Sequence, residues 1–158
     1  MKLLFLCTHN ACRSVLAESI ARQLGQGLWT VASAGSHPAG KVHPDALSML
    51  TQKNFPIEGL YSKSWDEVSD FRPDAVITVC DQAAGESCPV WFGKAIKAHW
   101  GLPDPTKQTD AVRKLSEFEQ VISTLESRIQ GFATFIKQQP NASYQQLQTE
   151  LKRLEGIK

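Results

Sequence analysis

The sequence contains no long hydrophobic run, no block of like charge, no internal repeat and no low-complexity stretch. No apolar segment approaches the ~20 residues that a membrane-spanning helix needs. The formal net charge is +1 at pH 7, without the basic patch that binds nucleic acid or an anionic membrane. We therefore expect neither a membrane nor a nucleic acid among the partners.

The N-terminal segment lacks the pattern of a secretory signal. A short apolar run, Leu3–Leu6, ends in Cys7 and a polar stretch without a small-residue cleavage site. We therefore expect a cytoplasmic protein, in which cysteines begin as thiols. Cys7 and Cys12 are five positions apart, and Cys80 and Cys88 are eight apart. Neither spacing matches the short pairs of zinc ligands, so we expect no metal site.

The chain has 158 residues, 42% of them hydrophobic, which suits one compact domain with a substantial core. Short apolar runs predict strands at Lys2–Leu6, Leu28–Ala34, Asp74–Val79 and Ala95–Trp100. Apolar residues at steps of three and four predict helices from Val15 to Leu24, from Pro44 to Leu50, from Val112 to Ile136 and from Tyr144 to Leu154. The segment Cys80–Pro89 is predicted to be a loop.

Strands that alternate with helices predict an α/β fold, with a parallel sheet between two helical layers. In such sheets ligands bind beyond the carboxyl ends of the strands. Cys7 follows the first predicted strand and Cys80 follows the third. If those strands are neighbours, both thiols lie at one edge, as a reaction between them would require. Because Pro140 breaks the long helix, we divide the domain into residues 1–140 and a helical extension, 141–158.

The segment from Cys7 to Ser14 is a Cys-x5-Arg loop between a predicted strand and a predicted helix. Such a loop turns backbone N–H groups inward and forms a cradle for an anion. The guanidinium of Arg13 can hold a tetrahedral oxyanion through two hydrogen bonds. The same positive field favours the thiolate form of Cys7, to which Ser14 can donate. We predict that Cys7 is the nucleophile and that the substrate is bound by Thr8, His9, Asn10, Ala11, Cys12, Arg13 and Ser14.

This loop, followed by Leu16-Ala17-Glu18, resembles the low-molecular-weight protein tyrosine phosphatase superfamily. The segments Val31–Gly35 and His99–Pro105 resemble its second strand and its acid loop, and the similarity spans residues 2–135. The resemblance implies a three-layer fold with a four-stranded parallel sheet in the order 2-1-3-4. It also assigns Asp104 as the general acid, since the oxygen displaced by Cys7 needs a proton.

Cys80 and Cys88 resemble the arsenate reductase branch of that superfamily, in which cysteines after this strand act in relay. The resemblance implies that Cys7 attacks arsenate, that Cys80 then forms a disulfide with Cys7, and that Cys88 takes over this disulfide. Phosphate and sulfate mimic arsenate in such a site. We expect no tightly bound cofactor and an external thiol donor, either glutathione with glutaredoxin or thioredoxin. The run from Ala84 to Gly93 and the tail beyond Pro140 favour the glutaredoxin type.

Two other functions stay open, a phosphatase that hydrolyses phosphomonoesters through a phosphocysteine and a non-catalytic oxyanion-binding module. Against the first, Thr106 follows Pro105 where an aromatic residue is typical, so a phosphotyrosine ring would lack a stacking partner. Some relatives also bind potassium beside the loop. Asn10, Glu18 and Ser33 match that site, whereas Ser64 stands where an aspartate is expected.

Overall fold

The structure is a computed structural model that describes residues 1–85 and 93–158. Its strands are β1 Lys2–Leu6, β2 Thr30–Ala34, β3 Ala75–Thr78 and β4 Ile96–His99. Its α-helices are α1 Arg13–Leu24, α2 Pro44–Gln52, α3 Asp81–Ala84, α4 Ala111–Gln138 and α5 Tyr144–Leu154. Two 3-10 helices span Trp65–Phe71 and Pro105–Lys107. Each predicted strand and long helix is found, with bounds that differ by a few residues.

The four strands form one parallel sheet in the order β2-β1-β3-β4, which confirms the predicted fold. β1 and β3 are buried along almost their whole length, as the continuous apolar runs in their sequences require. These two strands are direct neighbours, and Leu6 pairs with Thr78. Cys7 and Cys80 therefore follow adjacent strands at one edge of the sheet.

Both faces of the sheet are covered by apolar side chains. On one face Leu3 and Phe5 belong to the main core, which includes residues of α1, α2, α4 and α5. On the opposite face Leu4, Leu6 and Val76 pack against the 3-10 helix Trp65–Phe71. Sequence periodicity did not predict this 3-10 helix, because it is too short for a helical repeat to show.

The first turn of α4 departs from its predicted burial. Val112 and Leu115 continue the apolar stripe, yet their side chains are 77% and 48% exposed, and burial begins at Phe118. A helix of 28 residues is about 42 Å long. Strands of four or five residues are much shorter, so α4 extends past the sheet and its first turn has little to pack against.

The C-terminal helix α5 buries Leu147, Leu151 and Leu154. The indole N–H of Trp100, just after β4, donates a hydrogen bond of 2.8 Å to the Leu151 carbonyl. α5 thus packs on the end of β4, while the division of the domain at residue 140 stays a prediction. Across residues 1–85 and 93–158, no helix combines the length and apolarity needed to cross a bilayer.

The prediction of a loop over Cys80–Pro89 is wrong at its start, because Asp81–Ala84 forms the short helix α3. His99 holds the beginning of this helix: its Nε2 lies 2.8 Å from Asp81 Oδ1, and its Nδ1 lies 2.8 Å from Thr78 Oγ1. These contacts join residues far apart in sequence, so no local pattern showed them. Cys88 lies outside the described residues.

Candidate active site

The loop between Cys7 and Arg13 is held from outside by the segment that follows β2. The carbonyls of Thr8, His9 and Ala11 accept hydrogen bonds of 2.8 to 2.9 Å from the N–H groups of residues 37, 39 and 43. A trans peptide unit carries its C=O and N–H on opposite sides. The N–H groups of the same peptide units therefore turn toward the inside of the loop, where an anion would lie.

Gly35 allows this arrangement by its lack of a side chain. A Cβ atom at Gly35 would lie 2.5 Å from the carbonyl oxygen of Thr8 and 2.6 Å from that of Cys7. Both atoms belong to the backbone and cannot swing away. Glycine is therefore required here for close approach of two chain segments, at the carboxyl end of β2.

Cys7 is buried, with 4% of its surface exposed, and its Sγ lies 2.9 Å from Ser14 Oγ. Ser14 Oγ also accepts a hydrogen bond of 2.7 Å from Asn10 Nδ2. Because one lone pair of the hydroxyl is engaged in this way, its own hydrogen can point at the sulfur. The structure thus places the Ser14 hydroxyl beside Cys7, and its role as a donor to a Cys7 thiolate stays a prediction.

Arg13 joins the loop to the segment that carries Asp104. Its Nη1 donates a hydrogen bond of 3.0 Å to the Leu102 carbonyl, and its Nη2 lies 3.6 Å from Asp104 Oδ2. Thr106 donates to Asp104 Oδ1 from its backbone N–H at 3.0 Å and from its hydroxyl at 2.6 Å. One carboxylate oxygen is thereby fixed, and the other faces the guanidinium at the mouth of the loop.

These residues surround one cavity of about 340 Å³. It is lined by Cys7, His9, Ala11, Cys12, Arg13, Ala39, His43, Asp104 and Thr106. No Phe, Tyr or Trp is in this lining as far as the structure describes the chain. The sequence did not predict Ala39 or His43 as lining residues. The one hint of a special position was that His43 directly precedes Pro44, the first residue of α2. The lining thus brings a thiol, a guanidinium and a carboxyl group around one space, which suits a tetrahedral oxyanion.

Cys80 lies against the residue that follows Cys7. Its side chain is 2% exposed, and its Sγ accepts hydrogen bonds of 3.4 Å from the N–H groups of Thr8 and Ala83. The hydroxyl of Thr8 lies 3.7 Å from the same sulfur. The structure therefore brings a second thiol to the loop, as the adjacency of β1 and β3 implies.

The remaining loop residues differ in exposure. Cys12 is buried at the start of α1, and burial, assisted by the nearby Asp104 carboxylate, raises the pKa of its thiol. A neutral, buried thiol indicates a packing role for Cys12, while its predicted contact with substrate stays a prediction. His9 is exposed, whereas Asn10 is fully buried and adopts a left-handed backbone conformation, with φ at 46°. Among the described residues, no group of three or more His, Cys, Asp and Glu side chains is placed to hold a metal ion.

A parallel α/β sheet with a buried thiol in a strand-to-helix anion loop defines the phosphatase-like class of cysteine proteins. The sequence profile of the family described as low molecular weight phosphotyrosine protein phosphatase matches residues 2–146. The chain belongs to this family.

Several relatives of known activity share most of the chain. An arsenate reductase of Staphylococcus xylosus is 34% identical over 128 residues, which cover 81% of this chain and 92% of that protein. An arsenate reductase of Bacillus cereus strain Q1 is 35% identical over 129 residues, with 82% and 91% covered. The solved structure of an arsenate reductase in the phosphate binding state superimposes with a TM-score of 0.72 at 30% identity, covering 85% of this chain and 98% of that one.

Proposed function

We propose that this protein is an arsenate reductase that converts arsenate to arsenite with Cys7 as its nucleophile. The observation that carries the proposal is the second thiol, Cys80, buried against Thr8 beside the anion loop. Hydrolysis of a phosphate ester needs one thiol and an acid, so it gives no role to a thiol in that place. The similarity to arsenate reductases over four fifths of the chain supports the same conclusion.

In the first step the Cys7 thiolate attacks the arsenic of arsenate held by the loop N–H groups and Arg13. A sulfur–arsenic bond forms and one arsenic–oxygen bond breaks. Asp104 gives its proton to the departing oxygen, which leaves as water. Arsenic stays pentavalent in this step, and the guanidinium of Arg13 balances the charge of the oxyanion.

In the second step the thiolate of Cys80 attacks the Sγ atom of Cys7. A sulfur–sulfur bond forms while the sulfur–arsenic bond breaks, and its electron pair remains on arsenic. Arsenic becomes trivalent and leaves as arsenite, which takes up the proton lost by Cys80. The two cysteines together have supplied two electrons and are left as a disulfide.

In the third step Cys88 attacks the Sγ atom of Cys80, which moves the disulfide to Cys80 and Cys88 and releases Cys7 as a thiolate. An external thiol then reduces this disulfide and is itself oxidised. The role of Cys88 rests on its place in the sequence after β3, since it lies outside the described residues.

A Cys80→Ser variant tests the relay. We expect arsenate turnover to fall to background, because serine cannot form the disulfide that releases arsenite. Hydrolysis of p-nitrophenyl phosphate should largely survive, since it uses only Cys7, Arg13 and Asp104. Both activities are measured on the same preparation, so the hydrolysis serves as the control for an intact loop. Arsenate reduction that persists in this variant would show that the relay is wrong and would favour a different second thiol.

For the electron donor we propose glutathione with glutaredoxin, on the resemblance of the run from residue 84 to 93 and of the tail beyond Pro140. Thioredoxin is the alternative donor, because one similar solved structure is a thioredoxin-dependent arsenate reductase of Corynebacterium glutamicum. It is 26% identical with a TM-score of 0.68, and the match covers 87% of this chain and 62% of that chain. Steady-state arsenate reduction is measured with each complete donor system in turn. We expect turnover with glutathione and glutaredoxin, and turnover with thioredoxin alone contradicts this assignment.

A further inference from the structure

A buried ion pair lies behind the anion loop. Lys63 and Glu18 are each about 5% exposed, and Lys63 Nζ lies 3.7 Å from Glu18 Oε1. The other carboxylate oxygen of Glu18 lies 2.6 Å from Arg22 Nη2, at the rim of the buried region. Lys63 Nζ also donates to the Tyr61 carbonyl at 3.1 Å and lies 4.4 Å from the centre of the Tyr61 ring. A charge held so far from water needs such partners.

A chain of hydrogen bonds leads from this ion pair to the nucleophile. Ser33 Oγ donates to Glu18 Oε1 at 2.6 Å, and it accepts from Asn10 Nδ2 at 3.0 Å. Asn10 Nδ2 also donates to Ser14 Oγ at 2.7 Å, and Ser14 Oγ lies 2.9 Å from Cys7 Sγ. Every link in the series thus runs through a buried side chain.

The direction of each hydrogen bond in this chain is fixed at its ends. The backbone N–H of Lys63 can only donate, and it donates to Asn10 Oδ1 at 2.9 Å, so the amide NH₂ of Asn10 must face the serines. The ionised carboxylate of Glu18 can only accept, so Ser33 must donate to it. Ser14 then receives a hydrogen from Asn10 and turns its own toward Cys7. The backbone N–H of Lys63 is therefore what orients Asn10 and, through it, the hydroxyl of Ser14 that faces Cys7.

The residues of this cluster do not fit a potassium ion. Asn10, Glu18 and Ser33 match the potassium site of some relatives, but here the ammonium of Lys63 already lies beside the Glu18 carboxylate. A second cation next to that ammonium would meet its repulsion at short range in a buried setting. The protein itself supplies a cation at this position, the ammonium of Lys63.

We infer that Lys63 is a positioning residue for Cys7. Its ammonium is a built-in cation that pairs with Glu18, and this pairing holds the backbone N–H of Lys63 against Asn10 and so fixes the hydrogen bonds that lead through Ser14 to Cys7. The charged groups near the Lys63 ammonium are Glu18, Arg22 and Glu67. Of these three, Glu18 alone hydrogen-bonds to Ser33. The inference goes beyond the proposed function, because the state of Cys7 can be followed with no substrate present.

The test follows alkylation of Cys7 by iodoacetamide at pH 7 in the reduced full-length protein, with modified peptides identified by mass spectrometry. Replacing Lys63 by alanine should slow alkylation of Cys7 roughly tenfold, the fold-change that corresponds to losing one hydrogen bond to a charged group. The space left among the oxygen atoms of Glu18 and Tyr61 suits a small cation. Methylammonium chloride should therefore restore the rate, whereas tetramethylammonium chloride at equal ionic strength, whose cation is too large, should not.

Three comparisons keep the result interpretable. The exposed Lys53→Met variant removes a lysine elsewhere and should alkylate like the wild type. The wild type should react equally fast in potassium chloride and in tetramethylammonium chloride. The double variant Glu18→Gln with Lys63→Met removes both charges but keeps an acceptor for Ser33, so it should react close to the wild-type rate even if the alanine variant fails to fold.

Three results would overturn the inference. One is a folded Lys63→Ala protein that alkylates at the wild-type rate. Another is rescue that does not distinguish methylammonium from tetramethylammonium, since this would mark the loss as structural. The third is a wild-type protein whose Cys7 requires potassium for rapid alkylation, because Lys63 would then not replace the ion.

Discussion

The Cys7→Ser variant will bind oxyanions in its loop but will turn over neither arsenate nor p-nitrophenyl phosphate. A serine hydroxyl at this position stays protonated at neutral pH, and Ser14 can no longer stabilise an anion beside it. We expect both activities to fall by at least about 10⁴-fold, the scale on which an enzyme loses activity with its nucleophile. The backbone cradle and Arg13 are unchanged, so phosphate binding, measured by calorimetry, should persist.

The same exchange at Cys12 provides the comparison. Cys12 belongs to the same loop, and its buried neutral thiol packs at the start of α1. Cys12→Ser should therefore retain measurable turnover of both substrates, although burial of a hydroxyl costs stability. Residual turnover in Cys7→Ser equal to that in Cys12→Ser would place the nucleophile elsewhere.

The Gly35→Ala variant will lose the loop. The added methyl group would lie within 2.6 Å of two backbone carbonyl oxygens, those of Cys7 and Thr8, and 3.0 Å from the backbone nitrogen of Asn10. Either β2 or the loop has to move, at a cost of about 3 kcal/mol, the upper part of the range for overpacking. Because the movement displaces Cys7 itself, both activities should fall by a larger factor than the lost free energy of unfolding alone would cause. Urea unfolding and both steady-state assays measure the two effects.

Gly59→Ala is the matched control for this substitution. Gly59 has φ at +75° and nothing within 4 Å of the position of a Cβ atom, so alanine there adds backbone strain without a clash. It should cost about 1 kcal/mol of stability and leave both activities intact. If Gly35→Ala resembles Gly59→Ala, with stability slightly reduced and activity retained, close packing does not hold the loop in place.

The strands, the long helices and the loop between β1 and α1 could be predicted because their signals are local. A continuous apolar run such as Lys2–Leu6 predicts a buried parallel strand, and a Cys-x5-Arg segment after it predicts an oxyanion loop. The order of the strands came from a family resemblance, since periodicity says nothing about which strand lies beside which. That order is confirmed.

Features that depend on distant contacts could not be predicted in this way. Nothing in the neighbourhood of Lys63 shows that it is buried, because its partner Glu18 lies 45 positions away in sequence. The start of α3 is fixed by His99 from another strand, which is why a loop was predicted there. The stripe on α4 overstated the burial of Val112 and Leu115, because periodicity reports the side of a helix and not how far its neighbour extends.

The indole of Trp100 connects the C-terminal helix α5 to the active site. Trp100 is tied to α5 through Leu151, and two residues later the Leu102 carbonyl receives Arg13. α5 therefore helps to hold the segment that orients the guanidinium of Arg13 toward Asp104. A substitution that weakened the packing of α5 would therefore disturb the active site without changing any residue that lines the cavity.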